Sequence, residues 1–203
     1  ILPAIGHSDA DFDQVVAAYE KGFTHVTHLY SATSTVHRKN AFRYAGIVEA
    51  AYLIDGMTVE IIADGIHLPP PLLKFVYRFK GPEHTALITD SMRGAGMPSG
   101  ESILGSLKTG QKVVVEDGVA KLPDRTAFAG SVATMDRLVR NMIQLADVPL
   151  TDAVLMATET PASILRLSNK GRLAIGYDAD LVIFDDNITI QYTIVNGKII
   201  YAF

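Results

Sequence analysis

Four short apolar runs constrain this chain most, because each stops at a histidine or an aspartate and helix-spaced segments lie between them. The runs are Ile1-Leu-Pro-Ala-Ile-Gly up to His7, Thr24-His-Val-Thr up to His28, Thr58-Val-Glu-Ile-Ile-Ala up to Asp64 with His67 just beyond, and Thr85-Ala-Leu-Ile-Thr up to Asp90. Between the first two, Phe12, Val15, Val16 and Tyr19 fall on one helix face, and Gly22 marks the end of that helix. Ile47, Val48, Ala51 and Ile54 repeat the spacing, as do Leu72, Phe75, Val76 and Phe79 behind the helix-starting Pro69-Pro-Pro. The segment up to Tyr44 reads as a loop. Strand alternating with helix in this way predicts an α/β fold of βα units on a parallel sheet, and four such units are half of an eight-unit barrel. Four strands alone would leave two open edges and exposed apolar faces, so these residues are expected to be part of a longer chain or to need a partner segment.

The second half changes pattern. Arg93 to Gly100 reads as a mobile Gly-rich loop, and Ser102 to Leu122 as an insertion of short strands with Asp117-Gly118 as a two-residue hairpin turn. Met135, Leu138, Val139, Met142 and Ala146 mark an amphipathic helix that ends before Pro149. Thr151 is expected to cap the next helix and Pro161 to interrupt it. Asp180 to Asp185 and Tyr192 to Val195 read as strands, with Asn196-Gly197 turning into Lys198 to Tyr201. A small β appendage therefore begins near Gly171.

In a parallel βα barrel the C-terminal strand ends converge on one mouth, so His7, His28, His67 and Asp90 become neighbours although they are far apart in the chain. Imidazole suits zinc or iron, and a catalytic site keeps about three protein ligands with one position open. His7 and His28 are two candidates, and no third stands out. A carboxylate across the mouth, Asp90, could exchange protons with a water and a leaving group. Each residue also has a plain reading. A lone strand-end histidine often only hydrogen-bonds a neighbouring loop. His25, three residues before His28, is expected to face the other way and pack against a helix. His37 beside Arg38 reads as a solvated loop charge, and Asp64 before Gly65 is either a turn residue or a site carboxylate. The Gly94 to Gly100 loop lacks the strand-to-helix spacing of a phosphate cradle. Composition narrows the partners. With no Cys there is no thiolate metal site or disulfide, which fits a reducing, cytoplasmic compartment. A net charge of -4 with scattered Lys and Arg argues against nucleic acid, and no run approaches the ~18 apolar residues of a membrane span.

Several stretches together carry a resemblance. They are Gly6-His7-Ser8-Asp9-Ala10, Thr24-His-Val-Thr-His28-Leu-Tyr30, Ile62-Ala-Asp64-Gly-Ile-His67, Leu87-Ile-Thr-Asp90-Ser-Met92, Ala129-Gly130-Ser131 with Thr134-Met135, and the tail Gly171-Arg-Leu-Ala-Ile-Gly176-Tyr-Asp-Ala-Asp180-Leu-Val with Asn196-Gly-Lys198. In order and at compatible spacing they resemble the N-acetylglucosamine-6-phosphate deacetylases of the amidohydrolase superfamily. The resemblance implies the second half of a metal-dependent (β/α)8 TIM-type hydrolase barrel over 1–170, that is strands five to eight, a hairpin insertion and closing helices. Residues 171–203 would be the C-terminal segment of a small composite β domain. It implies that His7 and His28 bind a divalent metal, zinc or iron, and that Asp90 is the catalytic acid and base. His67 would contact the sugar, Ser31 and Ala32 would form the substrate-binding turn, and Phe128, Ala129 and Gly130 a loop over the substrate. Arg38 would bind the phosphate across a homodimer interface. The implied reaction is hydrolysis of N-acetylglucosamine 6-phosphate to glucosamine 6-phosphate and acetate. The chain departs from the family in three places: Ser31 stands where Asn is usual, Thr33 where Met is usual, and His37-Arg38-Lys39-Asn40 replaces the usual Arg-Glu-Pro-Gly. The family's third metal ligand, a Glu, and a carbonyl-contacting His belong to earlier strands. The alternatives are another amidohydrolase, acting on a related N-acetyl amino-sugar phosphate or a cyclic amide, or an inactive truncated chain with a structural role only.

Overall fold

The computed structural model describes all 203 residues. Its first half runs β1 (Ala4–Ile5), α1 (Phe12–Glu20), β2 (His25–Val26), β3 (His37–Lys39), β4 (Phe42–Tyr44), α2 (Ile47–Leu53), β5 (Thr58–Ile61), α3 (Pro70–Lys80) and β6 (Thr85–Leu87). There follow β7 (Gly100–Leu104), β8 (Gln111–Glu116) and β9 (Val119–Lys121), then α4 (Met135–Ala146), α5 (Leu150–Ala157) and α6 (Glu159–Ile164), and finally β10 (Leu181–Phe184), β11 (Ile190–Val195) and β12 (Lys198–Ala202). No helix is long and apolar enough to cross a membrane.

The mixed α/β centre is a parallel sheet in the order β1-β2-β5-β6, in which His25 lies opposite both Ala4 and Thr58, and Val59 opposite Thr85. Side chains alternate across a strand, so this register sorts the sheet into two faces. Val26, Val59, Ile61 and Leu87 are buried and join Val15, Leu73, Val76, Leu138 and Met142 from the helices in one apolar core. His25, Thr27, Thr58 and Glu60 share the opposite face and hydrogen-bond to one another there. The helices begin and end where local chemistry requires. Asp11 and Gln14 close a capping box on α1, Pro70 opens α3, and Gly81 at φ 80° ends it. Lys80 is buried and donates to the Ala51 and Ile54 carbonyls at the end of α2, at 2.6 and 3.2 Å, which satisfies acceptors the helix itself leaves open.

Three expectations are corrected. The segment before Tyr44 is a two-stranded ribbon, with His37 opposite Tyr44, Arg38 opposite Arg43 and Lys39 opposite Phe42. Every residue of β3 and β4 is exposed, so no buried face exists to print an alternation in the sequence. His25 does not pack against a helix; it is buried on the other face of the sheet, against Glu60. Thr151 does not cap α5, which starts at Leu150 behind Pro149, and the chain breaks at Thr158. Pro161 falls in the first turn of α6, where its missing N–H has no helical partner to lose. The turns Asp117-Gly118 and Asn196-Gly197 match expectation, each with both residues at positive φ between two antiparallel strands. The insertion pairs β7-β8-β9 and the tail β10-β11-β12. Arg140 of α4 fixes the tail to the core by donating to the Asn187 and Ile188 carbonyls.

Candidate active site

His7, His28 and Asp90 each lie just past a strand of the parallel sheet, and all three have left-handed backbone, φ 46°, 28° and 46°. Non-glycine residues rarely adopt this region, and holding one there costs roughly 1–3 kcal/mol. The strained conformation turns these side chains out of the sheet's alternation. β1 and β2 can approach closely at this end because Gly6 has no side chain; a Cβ there would lie 2.1 Å from Thr27 Cγ2. The result is that His7 Nε2 and His28 Nε2 are 3.0 Å apart, with ring planes at 69°. Two imidazole nitrogens at 2.0–2.1 Å from one tetrahedral cation would be about 3.3 Å apart, so the pair fits two ligands of such a site. No third His, Cys, Asp or Glu of this chain is close enough to share the cation. His28 Nδ1 is buried with no hydrogen-bond partner.

Asp64 and His67 form a second unit beyond β5. The Asp64 carboxylate accepts from Ile66 N–H and His67 N–H at 2.8 and 2.7 Å and from His67 Nδ1 at 2.7 Å. Asp64 is thus both a turn residue and the hydrogen-bond partner of the His67 ring. Burial opposes its charge, but the bonds from His67 and the two amides outweigh this and hold its carboxyl below the usual range. An ionised carboxylate only accepts, so His67 Nδ1 is the donor in this contact. The turn needs Gly65, at φ 79°, where a Cβ would meet Leu145 at 2.9 Å. Asn141 and Arg137 of α4 hold it from behind by donating to the Ala63 and Asp64 carbonyls. Phe128 lies against His67 with ring centroids 4.8 Å apart. Asp64→Asn is therefore expected to lower unfolding free energy by about 1.5–3 kcal/mol at neutral pH, measured by urea denaturation. Because the folded pKa is depressed, this contribution is present above the unfolded value near ~4 and is lost as pH falls through the folded one, so the difference from wild type should close in acid.

The remaining candidates divide by distance from these units. Ser31 N–H donates to the His28 carbonyl, and Ser8 N–H to Ala32 O, at 2.9 and 3.0 Å, so the turn Ser31-Ala32 is tied to both histidine-bearing tips. The Asp90 carbonyl accepts Ser131 N–H, and Met92 N–H donates to Ser131 O, which places the segment Phe128–Gly130 beside the Asp90 turn. Ala129 N–H donates to Ala120 O and so joins that segment to the insertion. β6 is two strands away from β2, roughly 10 Å at ordinary strand spacing. Arg38 stands apart on the exposed ribbon, directly across from Arg43. Thr27 and Glu60 are the residues sequence reading passed over. The signal was available, a lone carboxylate at an alternate position inside the apolar run Thr58 to Ala63.

Residues 3–200 match the amidohydrolase family. The chain belongs to this family. Among the relatives of this amidohydrolase, a Lysinibacillus sphaericus protein named N-acetylglucosamine-6-phosphate deacetylase is 40% identical over 199 residues, covering 98% of this chain and 49% of that protein. The crystal structure of the Thermotoga maritima N-acetylglucosamine-6-phosphate deacetylase superposes with a TM-score of 0.90 at 31% identity, over 100% of this chain and 53% of that one. A mutant of the Mycobacterium smegmatis enzyme of that name, in complex with N-acetyl-D-glucosamine-6-phosphate, superposes with a TM-score of 0.88 at 33% identity, over 98% and 51%. The amidohydrolase chain thus spans about half the length of the relatives it matches. Amidohydrolases generally depend on a divalent metal, and the His7–His28 pair suits one.

Proposed function

We propose that this amidohydrolase belongs to a deacetylase that hydrolyses N-acetylglucosamine 6-phosphate to glucosamine 6-phosphate and acetate. The observation that carries the proposal is the convergence of His7 and His28 at adjacent strand tips, 3.0 Å apart, in a chain that superposes on enzymes of that name. On this reading the parallel sheet is strands five to eight of a (β/α)8 barrel within residues 1–170, and 171–203 belong to a small β domain. His7 and His28 would hold the divalent metal, zinc or iron, which would supply Lewis acidity toward the acetamide carbonyl. Asp90 takes a proton from the attacking water as its oxygen bonds to the carbonyl carbon, then gives that proton to the nitrogen as the C–N bond breaks. Ser31, Ala32 and His67 orient the sugar, and Phe128, Ala129 and Gly130 close over it. The likeness to a chain that binds N-acetyl-D-glucosamine-6-phosphate favours the sugar phosphate over a cyclic amide. A charged sugar phosphate does not cross membranes unaided, which favours a cytoplasmic site of action.

The test is amide hydrolysis by the full chain, zinc-loaded, read as acetate release from N-acetylglucosamine 6-phosphate and from unphosphorylated N-acetylglucosamine, and as ring opening of a cyclic amide. The phosphorylated sugar is expected to be hydrolysed fastest; faster turnover of the cyclic amide would overturn the reading, and no turnover of any substrate would favour a structural role. The phosphate contact is assigned to Arg38, donated across a homodimer. Arg38 and Arg43 are like charges directly opposite on an exposed ribbon, an arrangement that is unfavourable unless an anion joins it. Arg38→Ala is expected to cost about 2 kcal/mol, roughly thirtyfold in kcat/KM, on the phosphorylated sugar and to leave the slow rate on the unphosphorylated one unchanged. Mixing it with Asp90→Asn should restore activity, since one site of the mixed dimer pairs an intact Asp90 with an intact Arg38. Equal losses on both sugars would remove Arg38 from the phosphate site.

A further inference from the structure

The ring of His28 has one polar contact of its own, with His7. Nε2 faces His7, and Nδ1 is buried without a partner. A ligating histidine ordinarily donates its second ring nitrogen to a carboxylate or carbonyl, which fixes the ring. Here the aim of the imidazole falls to the backbone, and that backbone sits at φ 28°, a conformation it would not keep unaided.

The residues on both sides of His28 are tied to one residue of the neighbouring strand. Thr27 Oγ1 donates to Glu60 Oε2 at 2.7 Å, and Leu29 N–H donates to the Glu60 carbonyl at 2.8 Å. The other carboxylate oxygen, Oε1, faces His25 Nε2 at 3.0 Å. His25 is fixed in turn by Thr58 Oγ1 at 2.7 Å, whose hydroxyl reaches Thr24 O at 3.2 Å. Burial opposes the charge on Glu60, but His25, Thr27 and the nearby His28 amide outweigh it and hold the carboxyl below its usual range. If Glu60 served only to satisfy the buried His25, its second oxygen would have no reason to meet the turn that carries His28. Glu60 is also too far from the His7–His28 point to be a ligand itself.

We propose that Glu60, braced by His25, is a positioning residue that clamps the Thr27–Leu29 turn so that His28 presents Nε2 to the point it shares with His7. This rests on His7 and His28 being metal ligands. Glu60 acts through His28 and touches neither cation nor sugar, so its removal should loosen metal binding before it alters any substrate contact.

The test measures Zn2+ affinity of the full chain by competition with a chelator, and the visible spectrum of the Co2+-loaded protein, which reports coordination geometry. Glu60→Leu is expected to weaken Zn2+ binding by about 10–100-fold, the usual effect of removing a residue that orients a ligand, and to change the Co2+ spectrum. Glu60→Gln keeps an acceptor for Thr27, and its amide can meet His25 in the other tautomer, so it should bind Zn2+ nearly as wild type does. If Glu60→Leu does not fold, Glu60→Asp replaces it, since the shorter carboxylate cannot reach Thr27 and His25 together, and the same loss is expected. Wild-type affinity and spectrum in whichever of these two variants is folded would overturn the proposal, as would a loss in Glu60→Gln as large as theirs. His28→Asn separates the two levels. If it weakens Zn2+ binding while the Glu60 variants do not, the ligand assignment stands and the clamp alone fails. If it leaves Zn2+ binding unchanged, the ligand assignment fails and the clamp falls with it.

Discussion

Asp90→Asn in the full chain is expected to slow acetate release from N-acetylglucosamine 6-phosphate by on the order of 10² or more while leaving zinc content unchanged. The substitution keeps size and shape and removes only the ability to accept and return a proton. The turn that carries it should survive, because it is held by main-chain bonds with Ser131 and by the Ser91 hydroxyl on the Ala133 carbonyl, none of which uses the Asp90 side chain. Asn also tolerates the left-handed backbone of this position, φ 46°, better than most residues. Asp90 is exposed and is not close enough to the two histidines to join them, so metal content should be indifferent to the change. Near-normal turnover would move the acid and base role to another group. Lost zinc together with lost turnover would make Asp90 a ligand instead.

How far the sequence spoke depended on whether burial wrote a pattern into it. Val26, Val59, Ile61 and Leu87 face the helix layer and are buried, so the strands could be read, as could the helices whose apolar faces meet them. The ribbon from His37 to Tyr44 buries nothing, so its sequence reads as a loop. His25 shows the same limit in reverse. Strand alternation puts it on the face opposite His28, but alternation stops where φ turns positive, and no periodicity argument sees that a half-buried carboxylate waits for it one strand away. The candidate histidines and aspartates stand out in the sequence because they interrupt apolar runs at strand ends. Glu60 shows there only as a lone carboxylate inside an apolar run, and its role stays hidden because its partners come from another strand. Which strand ends meet is a property of sheet order, β1 beside β2 and β5 beside β6, that no single run contains.

The largest effect is expected from the histidine pair. His28→Asn in the full chain should abolish stoichiometric zinc at micromolar metal and, with it, hydrolysis. Four-ligand structural zinc sites are worth about 10–16 kcal/mol, so one ligand of such a set is worth about 3–4 kcal/mol, roughly 10²–10³ in affinity. A site that keeps one coordination position open has fewer ligands to share the loss. Asn is the better replacement than Ala because residue 28 must hold φ 28°, and a short amide visits the left-handed region more readily than a methyl group does. The metal-free variant should therefore melt close to the metal-free wild type, which separates a lost ligand from a lost turn. His7→Asn should behave alike, since the two nitrogens face the same point from adjacent strands and neither can hold a cation there without the other. Should His28→Asn retain one zinc per chain at wild-type affinity, the 3.0 Å contact would be an ordinary imidazole hydrogen bond and the metal would have to sit elsewhere. A variant that loses zinc and also melts far below the metal-free wild type would instead show that His28 holds the strand tips together, and the ligand assignment would then rest on His7→Asn alone.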